Sequence, residues 1–122
     1  MAKDLTDLAP VLRPLDQAHG LPNAHYIDAD VYAEEREAVL FATWAGLGVA
    51  ADVPEPGDAK PIDFLGQPLL LLRDRDGIVR VYQNICRHRG MILVSELRKI
   101  EGALRCPYHS WCYKLSGELV ST

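Results

Sequence analysis

The stretch LLLLRDRDGIVRVYQNICRHRG, residues 69–90, runs strand, turn, strand, and then a loop carrying Cys86 and His88. Asp76-Gly77 supplies the positive-φ residue that a tight hairpin wants. Alternation of Ile78, Arg80 and Tyr82 against Val79 and Val81 predicts one buried face. PIDFLG (61–66) reads as a strand on its N-terminal side. Trp111 to Leu115 and Glu118 to Val120, around Ser116-Gly117, read as a further hairpin. Several short strands closed by glycine-containing turns predict a mainly β fold, a small antiparallel domain over residues 44–122.

Working outward, residues 1–27 hold Pro10, Pro14, Gly20 and Pro22 without sustained periodicity and read as an N-terminal arm. One helix is expected over 28–43, with Asp28 or Asp30 as N-cap and Glu34 and Glu35 early in it. Tyr32, Val39, Leu40, Thr43, Trp44 and Leu47 fall near helical spacing. Gly46-Leu47-Gly48 breaks it, and Pro54-Glu55-Pro56-Gly57-Asp58 is a turn-rich connector. The net charge of -4 over 122 residues argues against a polyanion binder, so nucleic acid is not expected as a partner. Three cysteines are too few for a disulfide scaffold. No apolar run approaches the roughly 18 residues of a membrane span, so a cytoplasmic protein without membrane association is expected.

Two of the four His and two of the three Cys fall in two short loops, Cys86-Arg87-His88-Arg89-Gly90 and Cys106-Pro107-Tyr108-His109-Ser110-Trp111. The spacing is C-x-H, then residues 89–105, then C-x-x-H. Two thiolates and two imidazoles also satisfy a structural zinc, whose usual pattern pairs Cys with Cys and His with His. Here each loop contributes one of each, so two loops brought together can put both thiolates on one metal and both imidazoles on a second.

CRHRG followed by CPYHSW resembles the cluster-binding signature of the Rieske non-haem iron oxygenases, in their large α-type subunit. LPNAHYIDADVYAEEREAVLFATW and LLLLRDRDGIVRVYQNICRHRG are similar to that family's arm, helix and entering hairpin, so the likeness covers roughly residues 20–122. It implies a Rieske [2Fe-2S] cluster with Cys86 and Cys106 on the iron that stays ferric, and His88 and His109 on the iron that takes the electron. Neutral imidazoles donate less charge than thiolates, which localises the electron on the histidine side. A pH-dependent potential belonging to the coupled histidine pair is expected. Gly90 and Pro107 are expected to shape the loops, Tyr108 and Trp111 to shield the cluster or pack in the core. Arg87 and Arg89 are expected to offset its charge, to meet an acidic redox partner, or simply to be solvated.

Some positions depart from the family pattern. Ser110 stands where the family usually has Gly. Met91 and Tyr108 stand where the respiratory Rieske proteins carry a disulfide, and Cys112 reads as an inert, partly buried thiol. The resemblance also implies a following domain with a mononuclear Fe(II), absent from these 122 residues, so the chain reads as truncated at its C-terminus and prone to aggregation. Asp16, His19 and His25 imitate that iron site only loosely and read as chance. Implied partners are a reductase or ferredoxin electron donor and further subunits in a homo-trimer or hetero-oligomer. A stand-alone Rieske ferredoxin and a structural zinc domain are the alternatives. The substrate, and the choice between dioxygenase and monooxygenase, are not named by these residues.

Overall fold

The protein, seen in a computed structural model, is described over residues 8–122, so the first seven residues of the expected arm lie outside the described residues. The chain divides into two units, Met1–Ala45 and Gly46–Thr122.

In the first unit a single helical turn, α1 (Ala24–Ile27), forms inside the stretch read as arm. Asp28 then adopts an extended backbone, and its carboxylate accepts the N–H groups of Asp30 (2.8 Å) and Val31 (3.3 Å). These are two of the donors a helix start leaves unpaired, so Asp28 both ends α1 and caps α2 (Ala29–Glu35). The single helix expected over 28–43 is thus shorter. From Arg36 to Leu40 the chain widens into a π-helical turn, closed by the Phe41 N–H on the Arg36 carbonyl at 2.9 Å. A wider turn breaks the 3.6-residue stripe, and Tyr32, Val39 and Trp44, expected on one apolar face, are all exposed.

The second unit is mainly antiparallel β. β1 (Asp58–Phe64), β2 (Gln67–Arg73), β3 (Val79–Gln83) and β4 (Arg98–Lys99) form one sheet in the order β3-β2-β1-β4. β5 (Leu104–Arg105), β6 (Cys112–Tyr113) and β7 (Leu119–Ser121) form a second, in that order. β2 is central and buries Leu70, Leu71 and Leu72, which accounts for its unbroken leucine run. The β2–β3 turn places Gly77 at φ 80 and is braced by buried Asp74, which accepts the N–H groups of Asp76 and Ile78 and the Arg80 guanidinium at 2.6 Å. That guanidinium bond, ahead of the penalty of burial, holds the Asp74 carboxyl below its ordinary value. On β3 the inward face is that of Arg80 and Tyr82, whereas Val81 and Ile78 are exposed.

One core serves both sheets: Ala59, Leu70 and Leu72 from the first, Leu104 and Tyr113 from the second, with Leu93, Val94, Ile100 and Leu115 from connections. Cys86 and Cys106 belong to this same core. The two chemistry-bearing loops are therefore anchored in the best-packed part of the unit.

Candidate metal centre

The two loops are copies of one backbone plan. In the first, the Cys86 N–H donates to the Met91 carbonyl (2.7 Å) and the Gly90 N–H to the Cys86 carbonyl (2.9 Å). In the second, the Cys106 N–H donates to the Trp111 carbonyl (2.8 Å) and the Ser110 N–H to the Cys106 carbonyl (3.1 Å). Each is closed at its base by an antiparallel pair, Ile85 with Ile92 and Arg105 with Cys112. Each turns its fifth residue left-handed, Gly90 at φ 70 and Ser110 at φ 63. Glycine takes that conformation freely, whereas serine is strained there by about 1–2 kcal/mol.

The donors meet in pairs. His88 and His109, one from each loop, face each other through their Nδ1 atoms at 3.2 Å. Two nitrogens held at about 2.0–2.1 Å on one tetrahedral ion stand about 3.3–3.4 Å apart, so this separation suits a shared metal. Both rings are stacked on aromatic partners. Trp111 lies on His88 at 4.8 Å and 8°, and Tyr108 lies on His109 at 3.8 Å and 26°. The Arg89 guanidinium stands over Tyr108 at 5.7 Å. First-loop and second-loop side chains therefore clasp each other, and the imidazole planes are set by the chain itself.

The thiols lie on the inner side, Cys86 and Cys106 both buried and both free of disulfides. Burial pushes the Cys86 thiol up, but hydrogen bonds from the Tyr113 hydroxyl, the His88 N–H, the Cys106 thiol and the Arg89 N–H together outweigh it, and the pKa lies below its ordinary value. Tyr113, 3.2 Å from the Cys86 sulfur, is pushed the other way by burial and by that same bond, so it keeps its proton and donates it. Its oxygen also accepts the Arg87 N–H at 3.1 Å. A protein that lowers a buried thiol's pKa is prepared to present a thiolate, the form that binds metal.

A family model described as the Rieske [2Fe-2S] domain matches residues 43–122. The chain belongs to the Rieske [2Fe-2S] domain family. It is similar to the glycine betaine monooxygenase oxygenase subunit of Chromohalobacter salexigens, 32% identical over 119 residues, which are 98% of this chain and 26% of that protein. Among solved structures it is similar to a quaternary ammonium Rieske monooxygenase in complex with L-carnitine, at 30% identity and a TM-score of 0.78, over 86% of this chain and 30% of that one. The naphthalene 1,2-dioxygenase of Rhodococcus sp. bound to indole matches at 34% identity and a TM-score of 0.76, over 84% of this chain and 23% of that one. The chain spans about a quarter to a third of the length of such relatives, which are oxygenase subunits or oxygenases by name.

In this Rieske domain the donor set fits a two-iron cluster: two buried thiols on the core side, two imidazoles with paired Nδ1 atoms on the exposed side. Among the described residues no three His, Cys, Asp or Glu side chains converge on a single point, and Asp16, His19 and His25 form no such group either. Cys112 is buried, and its thiol donates to the Ser110 carbonyl at 3.2 Å.

Two residues that the sequence reading passed over matter here. Tyr113 is one, and Asn84 is the other. The Asn84 side-chain amide donates to the Val94 carbonyl (2.6 Å) and accepts the Val94 N–H (3.0 Å), pinning the entry of the first loop to its exit. The sequence signal for Asn84 is no more than a polar residue at the end of a strand, two places before a cysteine. No helix among the described residues is long and apolar enough to cross a membrane.

Proposed function

We propose that Cys86 and Cys106 hold one iron and His88 and His109 the other iron of a Rieske [2Fe-2S] cluster. The chain then relays single electrons from a reductase or ferredoxin toward the mononuclear iron centre of a Rieske oxygenase. The observation that carries this reading is the facing pair of imidazoles, one from each loop, with both loop cysteines buried in one core. A single tetrahedral zinc needs four donors converging on one point. When bound, the cluster supplies a one-electron couple whose potential responds to ligand type, hydrogen bonding and solvent exposure.

The protein's own contributions follow from the geometry. Tyr113 and the loop N–H groups stabilise negative charge on Cys86. The core around both cysteines keeps water from the sulfur side. With Nδ1 of each imidazole turned toward the other, Nε2 is left on the far side of the ring as the outlet for an electron. Relatives act by name on glycine betaine, carnitine or naphthalene, and the step proposed here is the electron delivery common to such enzymes.

Anaerobic reconstitution with iron and sulfide tests the reading. A visible chromophore with an EPR signal on reduction is expected, and Cys106→Ala abolishes both. Zinc uptake without colour, or a coloured Cys106→Ala protein, overturns it.

A further inference from the structure

We propose that Cys112 is a positioning residue, whose thiol compensates for the serine at the left-handed corner of the second loop and so keeps His109 in place. The proposal rests on the cluster reading above.

The matched loops isolate the effect. At the corner the first loop has Gly90 (φ 70), which has no Cβ, and the second has Ser110 (φ 63), whose Cβ crowds the neighbouring carbonyl. Among the described residues the Ser110 hydroxyl makes no hydrogen bond that would offset the strain. Among the described residues its carbonyl accepts one donor, the Cys112 thiol at 3.2 Å. Two residues beyond the corner, the first loop carries Ile92, which has nothing to donate, and the second carries Cys112. The donor occurs in the loop that needs it.

Cys112 is also well placed to hold. It lies in β6, paired with Arg105 on one side and Ser121 on the other, and is buried. Its sulfur therefore hangs from a sheet and not from the loop it braces. Because φ of Ser110 rotates the peptide joining it to His109, relaxing the corner swings the imidazole away from the Nδ1 of His88.

The test uses Cys112→Ser, which keeps a donor, and Cys112→Val, an apolar side chain without one. Each is made alone and with Ser110→Gly in the reconstituted chain. Cys112→Val is expected to lose its cluster to a chelator about 5–10-fold faster, and Cys112→Ser within about twofold of the parent, the scale of one hydrogen bond. In the Ser110→Gly background the Cys112→Val effect falls below about twofold. The g-values of the reduced cluster shift in Cys112→Val and return in the double variant.

A packing role reverses the order, with Val tolerated and Ser damaging, unchanged by Ser110→Gly. That result overturns the proposal. The urea midpoints of the metal-free variants are expected to follow the donor order as well, so the pair is tested even if the parent assembles no histidine-coordinated cluster. The latter result would sink the functional reading alone.

Discussion

The loops Cys86–Met91 and Cys106–Trp111 repeat the same hydrogen bonds, base pairing and left-handed corner, yet their side chains are arranged differently. The histidine is third in one and fourth in the other, the corner is Gly90 in one and Ser110 in the other, and Tyr113 bonds Cys86. A repeated backbone can thus build an asymmetric centre. The scaffold brings two thiols and two imidazoles together, and the side chains decide how each half is tuned.

The largest expected effect comes from removing what the loops share. Cys86→Ala and Cys106→Ala should each abolish iron and sulfide uptake, measured by metal analysis, with no difference between loops. Nearly as large is the effect of erasing the offset. Exchanging His88→Arg with Arg89→His puts both histidines fourth, so their Nδ1 atoms no longer meet, and the histidine-ligated EPR signal is expected to vanish. Retention of that signal would show that the offset is incidental.

Tyr113→Phe breaks the asymmetry of the thiols. Cys86 is held below its ordinary value partly by this hydroxyl. Without it, the pH of half-maximal alkylation of Cys86 in the metal-free chain should move upward, because the thiolate forms only at higher pH. Smaller again is the corner exchange. Gly90→Ala is expected to destabilise and Ser110→Gly to stabilise, each by about 0.5–1 kcal/mol once glycine's greater unfolded-state freedom is subtracted. Urea unfolding reads both, and opposite signs are the prediction. Smallest is Arg89→Gln, which removes the cation over Tyr108, a loss of no more than about 0.5 kcal/mol in the same assay.

The candidate donors were legible because C-x-H and C-x-x-H mix residue types within each loop, and the hairpins because Asp76-Gly77 and Ser116-Gly117 announce their turns. Other features were hidden for physical reasons. Unequal Cys-to-His spacing concealed that the loops are equally built, since periodicity reports residues and not carbonyls. Tyr113 went unnoticed within the Trp111 to Leu115 strand, because a side chain's bond to a residue 27 positions away leaves no local trace. The β1–β2 turn uses Leu65 at φ 54, a conformation for which leucine gives no warning. The π-helical turn at Arg36–Leu40 looks like plain helix in composition.

The central claim, that one histidine from each loop binds the same iron, is tested most directly by labelling the chain with nitrogen-15 histidine and reducing the reconstituted cluster. The account predicts strong coupling of the electron spin to two imidazole nitrogens, reduced to one in His88→Ala or His109→Ala if any cluster survives. A reduced cluster coupled to no histidine nitrogen, or to the same two in either variant, would contradict it.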